Sequence, residues 1–192
     1  MTRESSVALK DLDVSVENVV ATATLGQKLD LIAIMKVFRN VEYRPKKFPG
    51  LVFRLKRPKT ATLIFSTGKM VCTGAKSEML SRSAIRKVVK ELKDNGIIIL
   101  GKPEIMIQNI VATANLHTYI DLEAAADILD NVLYEPEQFP ALIYRMGEPK
   151  VVILVFASGK LVCTGAKSAE MVDVAIMNLH GVLDEYGLLF QA

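Results

Sequence analysis

The stretch Phe65-Ser66-Thr67-Gly68-Lys69-Met70-Val71-Cys72-Thr73-Gly74-Ala75-Lys76-Ser77 returns as Phe156-Ala157-Ser158-Gly159-Lys160-Leu161-Val162-Cys163-Thr164-Gly165-Ala166-Lys167-Ser168, 91 positions further on. Working outward, residues 18–77 and 109–168 align at that single offset without a gap, and 30 of the 60 pairs are identical. Asn18-Val19-Val20-Ala21-Thr22-Ala23 comes back as Asn109-Ile110-Val111-Ala112-Thr113-Ala114. A duplication without insertions predicts two similar half-domains, an N-terminal repeat over 1–100 and a C-terminal repeat over 101–192. A site built from repeated residues is then two-fold pseudo-symmetric. That favours a ligand which is itself nearly two-fold symmetric, and duplex DNA is the obvious one.

A chain of 192 residues can bury one good core or two small ones. The period is too long for a solenoid repeat, so each copy is expected to be a small α+β unit. The chain has no run of uncharged apolar residues long enough for a membrane helix. Its start, Met1-Thr2-Arg3-Glu4-Ser5-Ser6, lacks the apolar region of a signal peptide. These features predict an intracellular protein with no membrane partner.

Cys72 and Cys163 occupy the same position in the two repeats. A disulfide would require that position to meet its own copy on a pseudo-axis. Buried reduced thiols are the preferred reading. Two cysteines and two histidines, His117 and His180, at unrelated spacing make no metal site, and no cofactor is implied.

Charge is unevenly shared. Residues 1–96 hold 19 Lys and Arg against 9 Asp and Glu, a balance of +10, whereas residues 97–192 hold 5 against 12, a balance of −7. A basic half suggests a polyanion, and an acidic half beside it a second, basic partner.

Within the first repeat, residues 14–25 are β-branched and alternate, which predicts a strand. Asp30 is placed to cap a helix reaching about Asn40, with Leu31, Ile34, Met35 and Phe38 on one face. Tyr43 to Pro49 reads as a turn. Leu51–Leu55 and Thr60–Ser66 read as strands, Thr67-Gly68 as a hairpin turn, and Lys69–Thr73 as the returning strand. Ser81 is expected to open a second helix closed by Asn95-Gly96, with Ile85, Val88, Val89 and Leu92 as its apolar stripe. Ile97–Leu100 is expected to add a strand. Two such units give about ten strands and four helices. The helices must cover one sheet face to bury their stripes, which leaves the other face free.

The pleat names that free face, because side chains alternate along a strand. Val19, Ile64, Met70 and Cys72 suit a core under helices. The opposite set is Asn18, Val20, Leu63, Phe65, Val71 and Thr73, and its copy is Asn109, Val111, Leu154, Phe156, Val162 and Thr164. This face is apolar with a few small polar groups and a lysine fringe, too apolar for plain solvent exposure.

Four motifs match a known family: Gln108-Asn109-Ile110-Val111, Tyr134-Glu135-Pro136-Glu137-Gln138-Phe139-Pro140, Leu142-Ile143-Tyr144-Arg145-Met146, and both copies of Ser/Thr-Gly-Lys-X-Val-Cys-Thr-Gly-Ala-Lys-Ser. On these the chain resembles the TATA-box-binding protein family of general transcription initiation factors, over about residues 12–190. The segment Glu135 to Pro140 is more similar to the archaeal form. The resemblance implies a saddle: a curved ten-stranded antiparallel sheet with four helices on its convex face and the concave face in the DNA minor groove. It implies that Phe48 with Phe65, and Phe139 with Phe156, wedge between base steps. Asn18 and Asn109, with Thr73 and Thr164 beside them, become the central groove contacts, and Val20, Leu63, Val71, Val111, Leu154 and Val162 pack on base edges. Lys47, Arg54, Lys69, Lys76, Arg145, Lys160 and Lys167 match phosphate-contacting positions. Glu135, Glu137 and Gln138 match the contact with transcription factor B, through which RNA polymerase is recruited. Self-association through the apolar face is a further expectation when DNA is absent.

Elementary chemistry points the same way. The minor groove shows only acceptors at A·T and T·A pairs, while G·C adds a donor amine. Valines and short Asn and Thr side chains leave no room for that amine. Unstacking a base step costs a few kcal/mol, offset by added buried surface, and this family is itself the standard example of such wedging. Lysine contacts to phosphates make binding fall with salt.

The remaining motifs add less. Gly68-Lys69 with Gly74-Ala75-Lys76-Ser77 fails the spacing of a phosphate-binding loop. Arg82, Arg86, Lys87, Lys90 and Lys93 form a basic stripe, read as a solvated face or a docking surface for an acidic partner or flanking DNA. No nucleophile–base pair or carboxylate dyad recurs on the free face, so no enzyme is expected. The alternative is a related protein–protein interaction module with weakened DNA binding, which would be expected to lose the phenylalanines and lysines.

Overall fold

The computed structural model describes residues 8–191. By packing, the chain divides into two compact units, Glu17–Asn109 and Ile110 onward together with the described residues up to Val16. A 3-10 turn, Leu9–Leu12, leads into the first copy of the repeat, which runs β1 (Ser15–Thr24), α1 (Leu31–Val37), β2 (Val41–Glu42), β3 (Leu51–Lys56), β4 (Lys59–Ile64), β5 (Lys69–Ala75) and α2 (Glu78–Asp94). The second runs β6 (Glu104–Asn115), β7 (Tyr119–Ile120), α3 (Leu122–Ile128), β8 (Val132–Leu133), β9 (Ala141–Met146), β10 (Val151–Phe156), β11 (Lys160–Ala166), α4 (Ala169–Glu185) and β12 (Leu189–Phe190). Ten strands form one antiparallel sheet in the order β2-β3-β4-β5-β1-β6-β11-β10-β9-β8, and β12 pairs with β7 separately. The expected α+β architecture, a ten-stranded antiparallel sheet with four α-helices, is therefore observed among the described residues, with the β7–β12 pair in addition.

Helix α2 packs on β5, β4 and β3. Its stripe of Ile85, Val88, Val89 and Leu92 is buried, and so are Val19, Ala21, Ile64, Met70 and Cys72 on the strands. Each large apolar side chain so enclosed stabilises the fold by about 1.5–3 kcal/mol. In the second unit α4 packs on β11 through Val172, Ala175, Ile176, Leu179 and Leu183, and α3 lies on β9.

Three elements differ from expectation. Helix α1 stops at Val37, because Phe38 turns to an extended conformation and sets its ring edge-on to Phe53, 5.0 Å between centroids. Met35 is left facing solvent. Helix α2 opens at Ser77 instead of Ser81. The Ser77 hydroxyl accepts the Leu80 N–H at 3.1 Å, while Ser81 sits a turn further in, fully buried. Residues 97–100 form no strand. The Gln27 side chain takes the place of a pairing strand: its Nε2 donates to the Ile98 carbonyl and its Oε1 accepts the Leu100 N–H, both at 2.9 Å. The copy of Gln27 is Thr118, and there the equivalent stretch becomes β12, hydrogen-bonded to β7.

The hairpin turns require glycine. Gly68 and Gly159 have φ of 86° and 84°, and a Cβ would lie 2.0 Å from the Gln27 carbonyl oxygen and 2.2 Å from that of Thr118. Both cysteines are free and buried, in keeping with reduced thiols. Burial pushes the Cys163 thiol up to about 11. Burial also raises Cys72, opposed by the hydroxyls of Thr62, Ser81 and Thr60. Among the described residues, no helix is long and apolar enough to cross a membrane.

Candidate nucleic-acid interface

The strands carry a second set of side chains, opposite the helices, and register orders them into rows. In the first unit Val52, Leu63, Val71 and Thr22 stand side by side across β3, β4, β5 and β1. In the second, Ile143, Leu154, Val162 and Thr113 do the same across β9, β10, β11 and β6. A neighbouring row holds Arg54, Ala61 and Thr73, copied as Arg145, Val152 and Thr164. All are half-buried except the two arginines, which are exposed. Val20, Val111, Asn18 and Asn109 are also half-buried. The sequence-based face is therefore assembled as expected.

Sequence reasoning missed several members of these rows: Val52, Ala61 and Thr22, with their copies Ile143, Val152 and Thr113. The signal was present in the alternation of Leu51, Phe53 and Leu55, which are buried, against Val52 and Arg54, which are not. Gln108, which opens the motif Gln108-Asn109-Ile110-Val111, donates from Nε2 to Thr22 Oγ1 at 2.9 Å.

A bulge fixes the asparagine. The β1–β5 register slips between Val19 and Ala21, so that β5 carries an extra residue near Gly74, whose φ is 101°. The freed Gly74 N–H donates to Asn18 Oδ1 at 2.7 Å, and Asn18 Nδ2 donates to Thr73 Oγ1 at 3.0 Å. Because only the oxygen can accept from Gly74, the amide orientation is set, with one Nδ2 hydrogen given to Thr73. The same slip recurs between Cys163 and Ala166.

Beyond the rows stand the phenylalanines. Phe48 and Phe65 meet edge to face at 5.9 Å, and Phe139 and Phe156 at 6.3 Å. Phe48 and Phe139 are 42% and 41% exposed, which is unusual for phenylalanine and leaves each ring accessible. Tight turns present them: the Phe48 N–H donates to the Arg44 carbonyl at 3.0 Å, and the Phe139 N–H to that of Glu135 at 2.9 Å. Gly50 makes room for the first pair, since a Cβ there would lie 2.6 Å from Phe48 Cε1; the copy is Ala141.

Lys47, Arg54, Lys69, Lys76, Arg145, Lys160 and Lys167 are all exposed. Arg54 pairs with Glu42 at 3.6 Å and Lys76 with Glu17 at 3.0 Å. Such exposed pairs contribute about 0–1 kcal/mol and yield readily to another anion. Asn18, Arg54, Ala61, Thr73 and Lys76 line one depression of the first unit, and Phe65, Lys69, Val71 and Thr22 another. Thr113, Phe156, Lys160 and Val162 line the counterpart in the second.

The family model described as transcription factor TFIID, or TATA-binding protein, matches residues 13–95 and again 104–186. The chain belongs to the TATA-binding protein family. It is 54% identical to the TATA-box-binding protein of Pyrobaculum aerophilum over 91% of this chain and 88% of that one. It is 50% identical to that of Methanothermobacter thermautotrophicus over 94% of this chain and all of the other. Among solved structures, Methanococcus jannaschii TBP superposes with a TM-score of 0.83 at 47% identity, covering 90% of this chain and 98% of that one. The resemblance read from the motifs, including its archaeal character, is thus shown. Two separate family matches on one chain also reflect the internal duplication.

The family's other sequence-marked features are at the surface. Glu135, Glu137 and Gln138 are exposed in the turn before Phe139. Much of the α2 stripe is engaged within the molecule. Arg82 donates to the Ile105 carbonyl at 3.1 Å, Lys87 to that of Arg57 at 2.8 Å, and Lys90 pairs with Asp94.

Proposed function

We propose that this chain is a non-enzymatic, intracellular transcription initiation factor that binds A·T-rich TATA-box DNA through the minor groove and bends it. The observation that carries the reading is the duplicated open face: half-buried apolar rows, each with an edge-to-face phenylalanine pair beyond it, one ring of which is exposed. Val71 and Val162 pack on base edges with Val20, Val111, Leu63 and Leu154. Asn18 donates to the purine N3 and pyrimidine O2 acceptors, for which its amide is already oriented. A guanine amine would meet these donors and valines with no acceptor to receive it. Phe48, Phe65, Phe139 and Phe156 wedge between base steps. Lys47, Arg54, Lys69, Lys76, Arg145, Lys160 and Lys167 contact phosphates, so that affinity falls as salt rises. Glu135, Glu137 and Gln138 receive transcription factor B, which brings RNA polymerase. In the absence of DNA the same apolar face supports self-association.

Bending of a short duplex with a central TATA-like site tests this, read by fluorescence energy transfer between its ends at low and high salt. The wild type is expected to bend it, and Phe139→Ala/Phe156→Ala to bind weakly with a reduced bend. An unchanged bend in the double variant, or no binding by the wild type, defeats the reading. Glu135→Arg/Glu137→Arg is expected to spare DNA binding and weaken recruitment of transcription factor B.

A further inference from the structure

The outward faces of the two long helices are built differently. On α2 the line pointing away from the core runs through Ser83, Arg86, Lys90 and Lys93; the matching positions on α4 are Val174, Met177, Gly181 and Asp184. Val174 is 50% exposed, and Gly181, two turns further along the same face, is exposed too. Glycine inside a helix lowers the folding equilibrium about fivefold relative to alanine. Nothing within the molecule requires it, because a Cβ at Gly181 would meet no atom within 4 Å. The charges at its C-terminal end are equally unhelpful to the helix itself, whereas Glu170 in the first turn suits the dipole. Helix α4 contains Glu170, Asp173, Asp184 and Glu185 and neither Lys nor Arg. Asp184 and Glu185 occupy the last turn, at the negative end of the helix dipole, where carboxylates are disfavoured. Partial burial raises the Asp173 carboxyl, and neighbouring Glu170 raises it further.

An exposed valine, a mid-helix glycine and carboxylates at the wrong end each weaken an isolated helix surface. All three are accounted for if something packs there. We propose that the outward face of α4 is a docking surface for a basic amphipathic helix of a partner protein. The partner's apolar seam lies on Val174 and Met177, and its backbone approaches closely at Gly181, where no side chain intervenes. Its flanking Lys or Arg residues meet Glu170, Asp173, Asp184 and Glu185. The same carboxylates repel nucleic acid, which distinguishes this face from the α2 stripe and from the open face of the sheet.

The test uses the full chain and a synthetic helical peptide with leucines on one face and lysines along both rims, titrated calorimetrically. The wild type is expected to bind it and to ignore the same peptide with glutamate rims. Val174→Lys is expected to weaken binding at least about tenfold. Gly181→Ala is expected to melt at a higher temperature yet bind several-fold more weakly, which separates docking from folding. Absence of binding by the wild type, or equal affinity in both variants, overturns the proposal. Self-association in sedimentation that Val174→Lys abolishes also overturns it, by making the occupant a second copy of the chain.

Discussion

The two halves of this chain share a surface and differ beneath it. On the open face, Leu63, Phe65, Val71 and Thr73 are repeated without change as Leu154, Phe156, Val162 and Thr164. Under α2, by contrast, the first half buries Thr60, Thr62 and Ser81, where the second has Val151, Ile153 and Val172. The Thr60 hydroxyl reaches the Pro58 carbonyl at 3.3 Å, whereas those of Thr62 and Ser81 are buried without a hydrogen bond. What they approach is the Cys72 thiol, a weak partner. A duplicated core needs only to be filled, and either half can fill it in its own way. The open face keeps its Leu, Phe, Val and Thr at these four positions, and its changes, Val52 to Ile143 and Ala61 to Val152, stay apolar.

The core contrast can be broken by exchange, and this is the largest effect expected. Ile153→Thr/Val172→Ser imports the first half's hydroxyls into an apolar core and is expected to cost about 3–6 kcal/mol, read by denaturant unfolding. The reverse pair, Thr62→Ile/Ser81→Val, removes two unsatisfied hydroxyls; it is expected to stabilise by about 1–3 kcal/mol where the extra methyls fit. A loss of stability in the second experiment would mean that the hydroxyl–thiol cluster is better satisfied than its geometry indicates.

The cysteines give a pH version of the same comparison. A thiol whose folded pKa lies above its unfolded value binds its proton more tightly when folded. Its contribution is complete below pH 9 and is lost as pH rises toward the folded value, about 11 for Cys163. Stability is therefore expected to decline from pH 9 upward, and Cys163→Ala to flatten that decline more than Cys72→Ala. Equal flattening by both would show that the hydroxyls around Cys72 do not ease its ionisation.

The smallest effect concerns the one place where the faces differ in spacing. Gly50→Ala copies Ala141 into the first half and is expected to push Phe48 outward, opening the 5.9 Å ring separation toward the 6.3 Å of the second pair. The stability change should remain below about 1 kcal/mol, since the displaced atom belongs to an exposed side chain. A crystal structure of the variant measures the shift directly.

Much of this was legible in the residues. Alternation in Lys69 to Thr73 assigned Met70 and Cys72 to the core and Val71 and Thr73 to the open face, because a strand's period is fixed by the backbone. The repeat then transferred each assignment to its copy. Element ends were less legible. Both Ser77 and Ser81 can cap a helix, and only the position of β5 decides that Ser77 does so. Residues 97–100 have the composition of a strand, yet pairing depends on a neighbour; in the first half Gln27 offers a side chain where β7 offers a backbone.

By itself the sequence determined the duplication, the core face and the open face, because periodicity and repetition are properties of the chain alone. The tertiary structure decided what depends on atoms distant in sequence. It brought the Gly74 N–H to Asn18, 56 residues away, and so oriented the amide. It set Phe48 against Phe65 and left two hydroxyls unpaired beneath α2. Hydrogen bonds and ring contacts need distances and directions, and those exist only once the strands have paired.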